Sequence, residues 1–249
     1  MTDATLDAQL KNWDNFCRYH ALGDWHGIWT RYSPTGEVIE SFQCIRSLRA
    51  SDDGGEVYHQ NHYTYADGKT ETKTFGPYRK PATSSLFLDN SFSWGSTKLE
   101  SGSPFGFETG FTYENRRVSV GVLYDRSARL EKLTIIAEHL ASFATETISL
   151  VDSEKLNYKG TYRAIAPNLE ALPETSATWI EIQNLGENYL TIHQQQDGIS
   201  VSCPGQIESG EDFLLAVDWQ VNSNLLQRGI RHFKSSEFTH FSLEVFTLA

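Results

Sequence analysis

The chain contains the stretch WHGIW at residues 25–29 and a related stretch, YKGTY, at residues 158–162. In each, a glycine stands between aromatic residues where a strand-like run begins. Glycine within a strand permits strong coiling and lets a neighbouring ring lie flat on the backbone. The two stretches predict one β-architecture built twice. The residues predicted to close the two barrels are Trp25, Gly27, Trp29, Tyr158, Gly160 and Tyr162.

Outward from these stretches, short apolar runs alternate with turn residues along most of the chain. Asp67-Gly68 is the strongest hairpin signal. Sequential strands joined by short turns predict an antiparallel meander, and a long meander hides its edges by closing on itself. The prediction is an all-β protein with two antiparallel barrels. The first has roughly eight or nine strands. In the second half the segment from the glycine-centred stretch to the closing hairpin is shorter, so the second barrel has about seven strands.

One helix is predicted before the first barrel. Between residues 3 and 20, Leu6, Leu10, Trp13 and Phe16 form a single apolar stripe, which needs a surface to pack on. That surface is expected to be the outside or the mouth of the barrel. A polar stretch at 149–156 is interpreted as a junction, giving a first domain at 1–150 and a second at 151–249.

Composition restricts the choice of partner and compartment. The formal net charge is −11, so nucleic acid and anionic membrane surfaces are unfavourable partners. The densest basic group is interpreted as solvated strand ends and comprises Arg116, Arg117, Arg126 and Arg129. Three cysteines without motif spacing, an acidic N-terminus and no long apolar run predict a cytoplasmic protein with free thiols and no membrane insertion.

Several short segments resemble a known family. They include WDNF at 13–16, GDWHGIW at 23–29, Arg46-Ser47 and YHQNHY at 58–63. They are similar to a cyanobacterial and plastid family of unknown function with a calycin-like, or lipocalin-like, N-terminal barrel. In lipocalins a Gly-x-Trp motif closes the barrel and an arginine stacks on the tryptophan. Here Trp29 takes that place, and the candidate arginines are Arg117, Arg126, Arg228 and Arg231. The C-terminal half resembles that of the plastid biogenesis factor required for ATP synthase assembly.

The sequence offers little catalytic chemistry. Gly68-Lys69-Thr70 imitates the end of a phosphate loop, but the glycine required five residues earlier is absent, so a hairpin turn is the better interpretation. His59 and His62 fall on opposite faces of a strand. His232 and His240 face each other across the last hairpin, which is too few ligands for zinc. A hydrogen bond from His20 or His26 to Asp24 is expected to fix the helix-to-strand corner. No catalytic residue, cofactor or metal site is predicted.

The predicted function is therefore non-enzymatic binding. The family resemblance implies an assembly factor for the soluble head of the ATP synthase, with ATP synthase subunits as partners. The alternative is a carrier of a small apolar ligand, a lipid or a bilin-type pigment, in the first barrel. Its predicted lining residues are Tyr63, Phe75, Trp94, Phe107, Phe111 and Tyr113. The sequence also leaves open a barrel that these rings fill completely, and an enzyme that acts inside a barrel.

Overall fold

The structure is a computed structural model that describes residues 3–144 and 158–248. Within these residues it contains one α-helix, a short 3-10 helix at Ile182–Asn184 and two antiparallel sheets. The helix α1 spans Asp3–Tyr19, close to the predicted 3–20. Its apolar stripe is buried at Trp13 and Phe16, whereas Leu6 near the start is 43% exposed.

Nine strands in the described residues form the first sheet, in the order β4-β3-β2-β1-β9-β8-β7-β6-β5. Their bounds are β1 Leu22–Tyr32, β2 Val38–Ala50, β3 Glu56–Thr64, β4 Thr70–Arg79, β5 Ser85–Leu88, β6 Ser91–Gly95, β7 Phe105–Tyr113, β8 Arg116–Tyr124 and β9 Leu130–Leu140. The predicted hairpin at Asp67-Gly68 joins β3 to β4, with the Gly68 amide donating to the carbonyl of Tyr65. The sheet curls into a half-barrel whose terminal strands, β4 and β5, are not paired with each other.

The second sheet contains seven strands in the described part of the chain, in the order β11-β10-β16-β15-β14-β13-β12. Their bounds are β10 Tyr158–Ile165, β11 Thr175–Ala177, β12 Tyr189–Gln194, β13 Ile199–Pro204, β14 Phe213–Asn222, β15 Leu225–Lys234 and β16 Glu237–Leu248. The predicted all-β class, the two antiparallel sheets, their strand numbers and the N-terminal helix are confirmed. The predicted junction at 149–156 lies outside the described residues.

The largest hydrophobic core lies between the two sheets. Odd-numbered residues of β7 and even-numbered residues of β8 turn their side chains toward β14 and its neighbours, and the rings of Phe111 and Trp219 stack with centroids 6.4 Å apart. This core includes Phe105, Phe107, Val118, Val120, Val122, Leu133, Ile135, Val201, Leu215, Val217, Phe241 and Leu243. Residues that alternate with these on β7 and β8 face the concave side of the half-barrel, because successive strand side chains point to opposite faces.

Helix α1 covers the open seam between β4 and β5. The Asn12 side chain is buried and makes three backbone hydrogen bonds. Its Nδ2 donates to the carbonyls of Ala82 (3.0 Å) and Ser85 (2.9 Å), and its Oδ1 accepts from the amide of Phe87 (2.7 Å). Trp13 Nε1 donates to the carbonyl of Gly54, in the turn between β2 and β3. The helix thus ties the β5 end of the first sheet to the turn between β2 and β3, in agreement with its predicted packing on the outside or the mouth of the barrel.

Candidate functional site

A cavity of about 390 Å³ opens on the concave side of the first half-barrel, under α1. Its mouth is aromatic, with Tyr78 of β4 37% exposed and Trp94 of β6 48% exposed. Its floor is polar. The lining residues are Phe16, His20, Arg46, Leu48, His59, Tyr78, Ala82, Ser84, Ser85, Phe87, Phe92, Trp94, Gly95, Glu108 and Arg117. An enclosed apolar wall with a few convergent polar groups is the usual composition of a small-molecule site.

Four charged side chains from four strands meet at the floor of this cavity. Arg46 Nε lies 3.2 Å from Glu138 Oε1, and Arg46 Nη1 lies 3.3 Å from Glu108 Oε1. Arg117 forms an ion pair with Glu138, its register partner across β8 and β9. These four residues, hereafter the floor cluster, carry two positive and two negative charges, so burial leaves each charge with a partner.

Gly27 is what allows Glu138 to turn into the barrel. The two residues are register partners on β1 and β9, and a Cβ built on Gly27 would lie 2.4 Å from Glu138 Cγ and 2.5 Å from the carbonyl oxygen of Ala137. The next inward residue of β1, Trp29, points its Nε1 at Glu138 Oε1 (3.4 Å). The guanidinium of Arg46 lies over the Trp29 ring, 4.8 Å from the centroid. The WHGIW stretch therefore forms part of the wall that holds the floor cluster.

Only one member of the floor cluster has appreciable exposure to the cavity. The side chain of Glu108 is 13% exposed, whereas those of Arg46, Arg117 and Glu138 are at most 5% exposed. Burial alone would raise the pKa of Glu108, but the guanidinium groups of Arg46 and Arg117 outweigh burial and lower the pKa below its ordinary value. Glu108 is therefore a carboxylate at neutral pH.

A chain of hydrogen bonds leads from the cavity mouth along β3. The Tyr78 hydroxyl lies 2.9 Å from His59 Nδ1, and His59 Nε2 lies 2.9 Å from Asn61 Oδ1. Because the amide oxygen only accepts, His59 Nε2 donates and Nδ1 accepts from Tyr78. Asn61 Nδ2 then donates to the hydroxyl of Tyr63 (2.8 Å). Burial, and next the charge of Arg46, lower the pKa of His59 to about 4, so this ring is neutral.

His20 is the polar group of the cavity with the fewest partners. It is 1% exposed, and among the described residues neither ring nitrogen has a well-formed hydrogen bond. Burial, and then the positive charges of Arg117 and Arg46, place its pKa well below the ordinary value. The predicted hydrogen bond from this corner to Asp24 is wrong for His20: Asp24 instead accepts from Ser47 and from Arg49 (Nη2 to Oδ2, 2.6 Å).

The barrel-closing residues predicted in the first half lie together on the inward face of β1. Trp25 is fully buried at the helix end, where its Nε1 donates to the carbonyl of His20 (2.9 Å), while Gly27 and Trp29 contact the floor cluster. The arginine over Trp29 is Arg46 of β2, not Arg117 or Arg126. Arg46 was not predicted to stack on Trp29, because in lipocalins the stacking arginine comes from the last strand. Barrel closure itself stays a prediction for these residues.

The corresponding residues of the second half lie on β10. Gly160 faces the ring of Phe246, whose Cε1 would stand 2.6 Å from an added Cβ, so this ring does lie against the glycine backbone. The ring of Tyr158 lies 5.0 Å from that of Trp179, and the Tyr162 hydroxyl is 3.2 Å from His240 Nε2. Arg228, one of the predicted arginines, lies over Trp179 at 4.7 Å.

Arg228 also has a carboxylate partner inside the second sheet. Its Nε and Nη2 donate to the two oxygens of Asp218, at 2.6 and 2.8 Å. Nearby, the rings of His232 and His240 stack 4.0 Å apart, which confirms that they face each other across the last hairpin. Within residues 3–144 and 158–248, no three His, Cys, Asp or Glu side chains are grouped so as to hold a metal ion.

The six predicted lining residues do not lie together. Trp94 lines the cavity, and Phe75 stacks on His59 beside it with centroids 4.7 Å apart. Tyr63 lies deeper, against Trp29. Phe107 and Phe111 are buried in the core between the sheets, and Tyr113 packs against that core. The alternation on β7 explains this division, because Glu108 faces the cavity and the odd-numbered rings face the second sheet.

The charged floor was not predicted. Arg117 is only 3% exposed, so the interpretation of Arg116 and Arg117 as solvated strand ends is wrong for Arg117. A signal was present: the hairpin between β8 and β9 places Arg117, at the start of one apolar run, opposite Glu138, near the end of the next. Opposite charges facing each other inside two apolar strands indicate a buried ion pair.

The fold and the cavity define a class of all-β protein in which a half-barrel with a charged floor packs against a second sheet. The chain belongs to the DUF3598 family, because the model of its N-terminal domain, described as a domain of unknown function, matches residues 9–143. A crystal structure of a DUF3598 protein of unknown function from Nostoc punctiforme PCC 73102 is similar to this chain over 96% of this chain and 99% of that one, with 22% identity and a TM-score of 0.73.

The remaining comparisons add no function. A mutant porin from Rh. blastica aligns with 90% of this chain and 98% of its own at 8% identity, but its TM-score of 0.19 carries no argument. No curated protein matches the chain. These comparisons give no support to the resemblance to the plastid ATP synthase factor. No helix among the described residues has the length and apolar character needed to cross a membrane.

Proposed function

We propose that the first half-barrel binds a small, largely apolar ligand in the cavity under α1. The observation that carries this proposal is the cavity itself, about 390 Å³ between an aromatic mouth and the floor cluster. A filled barrel would have left no such space. Aromatic walls supply most of the affinity for a flat apolar molecule, and a few polar groups fix its orientation.

The electrostatics of the cavity favour binding over acid–base catalysis. A general acid or base works best with a pKa near the operating pH. The pKa of His59 is lowered to about 4, and that of Glu108 lies below its ordinary range. Both groups therefore hold a fixed protonation state at neutral pH and supply a constant pattern of donors and acceptors.

Native mass spectrometry of the protein purified from its own host tests this function. We expect a fraction of the molecules to carry an added mass of a small organic compound. The variant Ser84→Trp places a large ring at the exposed mouth of the cavity and should lose that mass. The matched control is Ser209→Trp, also exposed but in a turn of the second half, which should keep it. Equal occupancy in both variants would contradict a site in this cavity.

The assembly role implied by the family resemblance stays a prediction. It expects ATP synthase subunits to co-purify with the protein and ATP synthase to fall in a deletion strain. A pull-down without such subunits, together with normal ATP synthase levels, would contradict it. The geometry of the cavity supports the ligand-binding role.

A further inference from the structure

A second hollow adjoins the cavity at Glu108 on the same concave face. This hollow has a volume of about 450 Å³ and shares Trp94 and Glu108 with the first. Its lining includes Gly106 and Gly121, and a Cβ built on Gly121 would meet no atom within 4 Å. The two adjoining hollows are hereafter the groove, and Trp94 and Glu108, register partners on β6 and β7, stand where they adjoin.

Glu108 has one hydrogen-bonding position left at this point. Its Oε1 accepts from Ser119 Oγ (2.7 Å) and from Arg46 Nη1 (3.3 Å). In the described part of the chain, its Oε2 accepts from Trp94 Nε1 alone (3.1 Å). A carboxylate has about four lone-pair sites, two on each oxygen. Glu108 is the most exposed member of the floor cluster. We therefore expect a ligand to bind at the remaining lone-pair site of its Oε2.

We propose that the ligand is an elongated, flat, electrically neutral molecule that lies along this groove and donates an N–H hydrogen bond to Glu108 Oε2. This inference rests on the proposed binding function and specifies its ligand. A molecule that occupies both adjoining hollows is longer than it is wide, so their arrangement favours an elongated ligand. The exposed Trp94 ring and the aromatic mouth favour a flat one.

The charge of the floor cluster argues for a neutral donor over an ion. The guanidinium groups of Arg46 and Arg117 are nearly closed to the groove and are paired with Glu138, so an anion beside Glu108 would find no free guanidinium in the floor cluster. A cation at Glu108 Oε2 would stand beside Arg46, which already contacts the other oxygen of this carboxylate. A neutral N–H satisfies the free lone pair without adding a charge to a balanced cluster.

A pair of isosteric fluorescent probes tests this inference on the unmodified protein. 2-Phenylindole carries the N–H, and 2-phenylbenzofuran has the same shape with an oxygen in its place. We expect 2-phenylindole to bind about tenfold to a hundredfold more tightly, the usual contribution of a hydrogen bond to a charged acceptor. Equal affinity for the two probes would overturn the inference and leave the binding function standing. Failure of both probes to bind would overturn both.

Three variants locate the contact. Glu108→Gln should reduce the preference for 2-phenylindole to about fivefold, since a neutral amide oxygen replaces the charged acceptor. The matched control Glu131→Gln, an exposed carboxylate on β9, should keep the full preference. Gly121→Leu fills the second hollow and should weaken both probes by the same factor. Unchanged affinity in Gly121→Leu would show that the ligand does not extend past Glu108, and an unchanged preference in Glu108→Gln would remove Glu108 as its partner.

Discussion

At the scale of single residues, Gly27 decides whether the floor cluster can form. Any side chain larger than the hydrogen atom of glycine would occupy the space of the Glu138 side chain. With glycine at this position, the Glu138 carboxylate points inward and contacts two arginines and Trp29. A cluster of four buried charges is stable only when each member keeps its partners. A misplaced Glu138 carboxylate would leave two buried arginines with Glu108 as their one remaining carboxylate in the floor cluster.

The variant Gly27→Ala is expected to lose about 2–4 kcal/mol of unfolding free energy, because the added methyl meets Glu138 and the Ala137 carbonyl. Urea denaturation followed by tryptophan fluorescence measures this loss. Gly121→Ala is the matched control on the same sheet, with open space around its added methyl, and should change stability by less than about 0.5 kcal/mol. Similar losses in both variants would show that strand flexibility, not the Glu138 contact, explains the effect.

His59 links stability to pH. Its pKa is about 4 in the folded protein and 6.5 as a free side chain, so the unfolded chain binds more protons between these values. Stability should therefore fall as pH is lowered from 6.5 to 4. This single group contributes at most about 3 kcal/mol, and less because the ring is partly exposed.

The variant His59→Gln should flatten the dependence of unfolding free energy on pH in this window. His193→Gln, at an exposed position of β12, should leave the slope unchanged. Other rings with a lowered pKa keep part of the slope in both variants; they include the buried His20 and His232, whose pKa is lowered to about 3 by burial and then by His240. Carboxylates whose pKa is lowered, such as Glu108, affect stability only near the acid end of this window and below it. An unaltered slope in His59→Gln would contradict the assignment.

At the scale of elements, helix α1 replaces the pairing that strands β4 and β5 lack. All ten residues of β4 are exposed, so this strand is held mainly by its pairing with β3. The helix spans the gap through Asn12 on the β5 side and through Trp13 at the turn between β2 and β3. The cavity mouth lies below this helix, so the stability of the helix and access to the cavity are coupled.

The variant Asn12→Ala is expected to lose about 2–4 kcal/mol, because three backbone groups of the β5 edge lose a buried partner. Hydrogen exchange at the amide of Phe87, which donates to Asn12, should accelerate most. Asn15→Ala is the control: Asn15 is less buried and donates one hydrogen bond, to the carbonyl of Phe87, so its loss should be about 1 kcal/mol. If β5 exchanges equally in both variants, Asn12 is not the tie between helix and sheet.

The element pattern was largely predictable from the sequence, and the orientation of the elements was not. Alternation and turn residues predict the strands, and the Asp67-Gly68 hairpin forms as expected. The alternation of residues along β7 also separates its two faces. It does not predict which face lines the inside of the half-barrel, because both faces are covered by other parts of the protein. Phe107 and Phe111 looked like lumen residues because they are large and apolar. The second sheet covers that face, and the charged Glu108 faces the cavity.

At the scale of the whole molecule, the two sheets share their largest core. Strands β7 to β9 contribute one face to it, and β13 to β16 contribute the other. Between the sheets Arg231 donates to Ser93 Oγ and to the carbonyl of Ser96, both at 2.9 Å. Arg231 is only 1% exposed, so the contact excludes water, and this burial lowers its pKa to about 9. A sheet separated from its partner would expose this face.

The fragment 158–249 is therefore expected not to fold alone, and to fold when it is co-expressed with fragment 1–157. The reason is the loss of apolar burial on β14 to β16, which a separated sheet cannot replace. Thermal unfolding followed by circular dichroism measures this: the full chain should show one cooperative transition and the isolated fragment none. A cooperative transition in the fragment alone would support two independently folding domains, as the proposed division at residue 150 implies.

The opposite faces of β7 and β8 have a consequence for how this family can diverge. Phe111 and Val120 hold the two halves together, while Glu108 and Gly121 shape the groove, and the four alternate along the same two strands. Under the proposed function, a substitution on the groove side would change which ligand is bound without touching the joint between the halves. Members of one family are thereby free to acquire different ligands on a common scaffold, and a shared fold among them is no guarantee of a shared cargo.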